Sequence, residues 1–286
     1  MGVQVTEASR RLGINATKSD VIREWIRFNK ITHVINAAAE CGGIGLNKEK
    51  PASLWSATTA ISHGVLEGCV NTDIKKLVMI GTVCSYAAEC PTPFREVDLM
   101  QHGFPEKTNA AYGVSKLSSY FGTIAYRQQY GMPGVFLIPV NMYGPNDNFD
   151  DASSHVIPAI IKKCLQAKEN QELSIKCWGS GQATREFLYV DDAAELIARA
   201  TFNYNESKPL NLGTGEEISI ADLTATIAAL VGYKGKIEWD TEKPDGQMRR
   251  RLDIKQADTK LGVLQRTSLK DGLMNTIRWY QHGRFD

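Results

Sequence analysis

Between residues 19 and 140, blocks of apolar residues at helical spacing alternate with short, nearly unbroken apolar runs. Val21, Ile22, Trp25, Ile26 and Phe28 recur at three- and four-residue intervals behind Ser19 or Asp20, either of which can cap a helix. Residues 32–39 then read as a buried strand ending in Ala37, Ala38 and Ala39. Leu54, Trp55, Ile61, Val65 and Leu66 predict a helix over 51–69, and residues 76–81 a second buried strand. A long helix follows from about residue 111, marked by Leu117, Phe121, Ile124, Ala125 and Tyr130, and then a third strand over 134–138. This order implies parallel strands joined by right-handed crossovers. Such sheets bind ligands beyond the carboxyl ends of their strands, here residues 37–43, 82–85 and 139–143. The stretch 41–45 (Cys-Gly-Gly-Ile-Gly) reads as a flexible loop, either open to close approach by a ligand or a simple turn.

The rhythm changes after residue 140. Residues 141–148 are rich in turn formers, and a helix is expected over 155–168 from Val156, Ile157, Ile160, Ile161 and Leu165. Residues 172–178 alternate like a strand, 179–181 turn the chain, and 185–192 lead into a helix ending near 203. Residues 209–212 suggest a short strand. Ser219 with Asp222, and Ser268 with Asp271, look like capping boxes of two late helices.

With 286 residues the chain can bury a large core, as one large domain or two smaller ones. Its composition, 43% hydrophobic and 23% charged, is that of a soluble globular protein. A net charge of +1 argues against nucleic acid as a partner through bulk charge. No apolar run reaches the roughly eighteen residues of a membrane helix, so no membrane is expected, and no signal peptide is seen. The six cysteines (Cys41, Cys69, Cys84, Cys90, Cys164, Cys177) lack metal-like spacing, so no metal is expected, and a reducing cytoplasm suits them.

Candidate chemistry centres on Tyr112 and Lys116, four residues apart and therefore on one helix face. An ammonium beside a phenol favours the phenolate, which gives a proton donor usable near neutral pH. Such a pair alone is more often a solvated face; its surroundings decide.

Those surroundings are a series of motifs in one order: residues 81–86 (Gly-Thr-Val-Cys-Ser-Tyr), Tyr112 with Lys116, residues 141–149 (Asn-Met-Tyr-Gly-Pro-Asn-Asp-Asn-Phe), 154–158 (Ser-His-Val-Ile-Pro), 178–181 (Trp-Gly-Ser-Gly), 185–192 (Arg-Glu-Phe-Leu-Tyr-Val-Asp-Asp), 211–215 (Asn-Leu-Gly-Thr-Gly) and 243–246 (Lys-Pro-Asp-Gly). Together they resemble the GDP-L-fucose synthase family of the extended short-chain dehydrogenase/reductase superfamily, from about Asn15 to the C-terminus. The resemblance implies a Rossmann-like doubly wound α/β fold with a smaller substrate domain: an NADP-binding domain over 1–140, to which 186–203 returns, and a GDP-sugar domain over 141–286. It implies NADP(H) as cofactor, a GDP-sugar as substrate and a homodimer packed through the helix carrying Tyr112 and the helix before it. The activity implied is epimerisation at C3 and C5 of GDP-4-keto-6-deoxy-D-mannose, then reduction at C4.

By that resemblance Tyr112 donates a proton to the C4 oxygen, Lys116 lowers its pKa and holds the nicotinamide ribose, and Thr82 hydrogen-bonds the ketone. Thr82 stands where the family often has Ser, and a strand-end cap is its plainer reading. Cys84 and His155 match the pair that moves protons alpha to the ketone. A thiol is only partly ionised near neutrality and needs a helpful environment to act as base, whereas histidine titrates in range. Asn141, Ala38 and Asn15 match cofactor positions, and Lys163, Trp178, Arg185 and Arg250 match substrate positions, the cations facing the diphosphate. For Lys163 and Arg250 a solvated basic rim is the alternative, and Arg249 and Arg251 flank the latter. The other five cysteines read as structural.

One departure stands out. The family opens with a strand and a GxxGxxG loop that cradles the dinucleotide pyrophosphate. Residues 1–13 hold only Gly2 and Gly13. Roughly forty residues of the pattern are therefore expected to be missing, by the usual size of a βαβ unit. Three readings follow: a truncated form of a normal enzyme, a natural short form with weak or no NADPH binding, or a missing half-unit supplied by another chain. The absent glycine loop also leaves a second function open, a nucleotide-sugar-binding remnant without redox activity. Neighbouring strands would then become edges.

Overall fold

The buried run at 76–80 lies inside the largest sheet of the molecule. The computed structural model describes residues 3–283. Its first half contains α1 (Ser19–Phe28), β1 (His33–Asn36), α2 (Ile44–Glu49), α3 (Pro51–Cys69), β2 (Lys76–Ile80), α4 (Ala110–Tyr130), β3 (Gly134–Pro139) and β4 (Asn141–Tyr143). The second half contains α5 (Val156–Glu169), β5 (Ser174–Trp178), β6 (Thr184–Arg185), β7 (Phe187–Tyr189), α6 (Val190–Asn203), β8 (Leu210–Leu212), β9 (Ile218–Ser219), α7 (Ile220–Val231), β10 (Lys236–Asp240), β11 (Arg249–Arg250), α8 (Lys255–Leu261) and α9 (Leu269–His282).

The main sheet is parallel, in the order β1-β2-β3-β8. Every residue of β2 and β3 is buried, as expected of a parallel sheet covered on both faces. One layer is built by α1, α3 and α4, and a second by α6 and α8. Among the described residues β1 is an edge strand, with Ile35 47% exposed. The first core gathers Ile22, Val65, Leu77, Val78, Phe136 and Leu137 with Leu196 of α6 and Leu261 of α8.

A second core is built from α5, α7 and α9 against β4, β5 and β7, through Ile157, Ile161, Leu223, Ile227 and Leu273. Both late helices are capped as their sequences require: Ser219 Oγ accepts from Asp222 N, and Ser268 Oγ from Asp271 N. Glu186, fully buried between β6 and β7, ties distant segments together. Its Oε1 accepts from the N–H groups of Thr214 (2.5 Å) and Gly215 (2.7 Å), and its Oε2 from that of Leu252 (2.7 Å).

One expectation needs correcting. Residues 44–49 form a helix, and the preceding glycines are held: Asn47 Nδ2 donates to Gly42 O (2.7 Å) and Gly43 O (3.1 Å). A side-chain amide thus satisfies carbonyls that a flexible loop would leave to water.

Candidate active site

β2 ends in Thr82, and the chain then makes a single 3-10 turn, Val83–Ser85. Thr82 caps this turn, its Oγ1 accepting from Cys84 N at 3.2 Å. The capping role is therefore real, and it uses a lone pair while leaving the hydroxyl proton to donate. Cys84 is half-buried on this turn. The first turn of α4 rests on it: a Cβ at Gly113 would come within 2.4 Å of Cys84 O, so only glycine permits the approach. Ser85 Oγ donates to Gly113 O (3.1 Å) and fastens the contact. Tyr112 is thereby brought beside Cys84.

Lys116 is buried, and its Nζ donates to Ile80 O at 2.7 Å, with Nζ 6.0 Å from the Tyr112 ring centroid. Burial pulls the Lys116 ammonium down to about 8. Burial also pushes the Tyr112 phenol above its ordinary range, with Cys41 and Cys84 adding to the rise. The expected lowering of the phenol by Lys116 is not found, because desolvation of the phenolate outweighs an ammonium that is itself bound to a carbonyl.

His155 is exposed at the N-terminus of α5. The loop before it, residues 153–154, packs on the glycines after β1: Gly43 N donates to Ser153 O (3.1 Å), and a Cβ at Gly43 would lie 2.6 Å from Ser154 O. Asp147 lies within electrostatic reach of His155. Burial raises its carboxyl above the usual range, opposed by the N–H of Asn148 and by His155, and its buried Oδ2 makes no hydrogen bond within the chain. Asp147 stands inside the 141–149 motif, and only its burial in the fold marks it out. Cys41 was set aside as structural, yet it is exposed and interacts with Lys116, Asp147 and Cys84.

The cofactor candidates divide. Asn141 Nδ2 donates to Glu186 O at 3.1 Å, and Ala38 is exposed at the carboxyl end of β1. Asn15 is engaged in its own turn, its Oδ1 accepting from Thr17 N (3.1 Å) and Thr17 Oγ1 (2.9 Å). The substrate candidates divide too. Arg185 is buried, donating to Thr184 O (2.7 Å) and Asp245 O (2.9 Å), and burial beside Arg250 pulls it down to about 10. Trp178 is 55% exposed, with Lys243 Nζ 5.4 Å from its ring, on a cavity of about 330 Å³ that Ile44 and Lys48 also line. Lys163 Nζ is bound to Lys176 O. Arg250 is not on a solvated rim: it is 6% exposed and donates from Nη1 to Cys84 Sγ at 3.3 Å.

A doubly wound parallel sheet carrying a Tyr–Lys helix at its carboxyl edge defines a dinucleotide-dependent class of enzyme. Residues 3–213 match the NAD dependent epimerase/dehydratase family. The chain belongs to that family and is an enzyme of the epimerase/reductase type. It is similar to GDP-L-fucose synthase 1 of Arabidopsis thaliana, with 34% identity over 93% of this chain and 82% of that one. GDP-L-fucose synthase of Escherichia coli K12 is also 34% identical, over 93% of this chain and 85% of the other. A crystal structure of a GDP-L-fucose synthetase from Naegleria fowleri bound to NADP superposes with a TM-score of 0.84 at 26% identity, covering 93% and 82% of the two chains. No helix among the described residues is long and apolar enough to cross a membrane.

Proposed function

We propose that the chain converts GDP-4-keto-6-deoxy-D-mannose to GDP-L-fucose, epimerising C3 and C5 and reducing the C4 ketone with NADPH. The carrying observation is the seating of the Tyr112 turn of α4 on the Cys84 turn through Gly113, with Thr82 capping that turn. One short segment after β2 thus serves both an acid–base step and a carbonyl reduction. The names of the relatives support the substrate, and the NADP-bound neighbour supports the cofactor.

The residues present fit the nicotinamide end of that cofactor, since Lys116 puts a buried ammonium at the carboxyl edge of β2. Lys116, Tyr112 and Asn141 would hold it there, with Ala38 and Asn15 toward the adenine side. When bound, NADPH supplies the hydride. Cys84 takes a proton alpha to the ketone, and the electron pair moves onto the C4 oxygen as an enolate. His155 returns a proton on the other face, which inverts the carbon. The Thr82 hydroxyl donates to the C4 oxygen. Tyr112, held by burial as the neutral phenol, gives its proton to the oxygen that becomes the C4 hydroxyl. Arg185, Trp178 and Lys163 would face the nucleotide, Arg185 as a fork on the diphosphate.

The two cores support a cofactor-binding part and a GDP-sugar part. Exposed Trp55 on α3 and Val114 and Phe121 on α4 support a homodimer, which sedimentation would test. Six free thiols support a cytoplasmic setting.

The test is NADPH oxidation followed by absorbance. Oxidation only when the GDP-keto sugar is supplied is expected, and oxidation without it, or none with it, contradicts the proposal. Titration of nicotinamide fluorescence separates this reading from a GDP-sugar-binding protein without redox function, which would bind GDP but not NADPH.

A further inference from the structure

A thiol that must remove a carbon-bound proton acts as thiolate, and thiolates form beside fixed cations. Arg250 supplies one from across the molecule, 166 positions along the chain from Cys84. Its Nη1 donates to Cys84 Sγ at 3.3 Å. Its Nε donates to Gln247 Oε1 at 3.0 Å. Asn109, with its amide turned to satisfy both neighbours, accepts from Arg250 Nη2 at 2.9 Å and donates to Glu106 O at 3.3 Å. Both other partners of this buried guanidinium are neutral amides. A buried cation held by neutral groups favours an anion at its remaining contact, and that contact is sulfur. Three other groups face Cys84: the buried Arg185, a second cation that also lies beside Arg250, the Cys41 thiol and the Tyr112 phenol.

The neighbouring Arg249 differs. Arg249 is neutralised by Glu217, with Nη2 2.6 Å from Oε2. Arg250 is fixed from behind by backbone: β11 pairs with β6 in the register Arg250↔Arg185, and Glu186 N donates to Arg250 O at 3.2 Å. The guanidinium is therefore aimed at Cys84 by the sheet and by two amides.

We propose that Arg250 is the positioning residue that holds Cys84 as a thiolate, and so makes Cys84 the base of the epimerisation. The proposal rests on the function proposed above. In the step, thiolate sulfur takes the proton and becomes a thiol, and the C–H electron pair passes to the C4 oxygen as an enolate. Arg250 keeps its own protons throughout.

The test reads the thiol without substrate. Alkylation of Cys84 by iodoacetamide is followed against pH by residue-resolved mass spectrometry in the wild type, R250K and R250Q, with folding checked by circular dichroism. R250Q is expected to slow alkylation near pH 7 by about tenfold and to move the profile to higher pH, and R250K to restore part of both. With the GDP-keto sugar, R250Q is expected to lower kcat for solvent-deuterium incorporation about tenfold, with KM changed less than about twofold. An unmoved alkylation profile overturns the proposal. So does an effect confined to KM, which would make Arg250 a diphosphate contact. If R250Q does not fold, Gln247→Ala removes the amide that aims the guanidinium; the same direction of shift is expected, and no shift overturns the proposal. A wild type with the expected alkylation profile but no deuterium incorporation would refute the proposed function instead.

Discussion

Two pairs of a cation with a proton-bearing group stand after β2, and they are built differently. Tyr112 and Lys116 lie one helical turn apart, yet the lysine is spent on Ile80 O and burial raises the phenol. Cys84 and Arg250 come from opposite ends of the chain, yet guanidinium and sulfur are in direct contact. Spacing on a helix makes a pair visible, yet here it brings Nζ only to 6.0 Å from the ring centroid while the ammonium's hydrogen bond goes to Ile80 O. Contact made by the fold gives no sequence signal at all. The proposed division of labour follows: a protonated donor for the ketone on α4, and an ionised base on the turn after β2.

Removing one member should separate the chemistries. Cys84→Ala is expected to cut deuterium incorporation at C3 and C5 by about 10²-fold or more, with NADPH binding unchanged in fluorescence titration. Loss of NADPH binding as well would mean that the two halves of the site are not separable.

Glu186→Gln tests whether the Cys84–Arg250 side depends on its buried anchor. An amide placed among the N–H groups of Thr214, Gly215 and Leu252 leaves donors unmatched, and a loss of about 1–3 kcal/mol of stability is expected in urea unfolding. Arg185→Lys keeps the charge and loses the fork, so KM for the GDP-sugar should rise about tenfold in steady-state assays, with KM for NADPH unmoved.

The smallest effect is on pH. Lys116 is charged below about 8 and neutral above it, so the reduction rate should fall as pH rises through about 8. Stability moves the other way. The folded state holds this proton less tightly than the unfolded chain, so the cost of burying the ammonium is fully present below about 8. It is relieved as pH rises toward the ordinary lysine value. Lys116→Met should abolish that part of the stability profile.

Much of the main sheet was legible because its signals are local. Consecutive apolar residues at 76–80 and 134–139 admit little but buried strands, and Ser219 and Ser268 announce their helices by side-chain chemistry. Strands of two or three residues, such as β6, β9 and β11, are too short to show alternation, and they are what position Arg185 and Arg250. The helix at 44–49 was hidden behind glycines that read as flexible until Asn47 is seen to bind them. Cys41 carried no motif, and only the packing beyond β1 brings it to Lys116 and Cys84. Tyr112, Lys116, Thr82 and Cys84 stand in family motifs, and the fold packs the start of α4 against the turn after β2; the high phenol has no signal in the sequence, because burial is a property of the folded chain.

The central claim is that one short segment after β2 serves two separable reactions. Tyr112→Phe, assayed for NADPH oxidation and for solvent-deuterium incorporation in the same sample of GDP-keto sugar, tests it most directly. The account predicts NADPH oxidation reduced about 10²- to 10⁴-fold with deuterium incorporation retained. Full NADPH oxidation in that variant would contradict it.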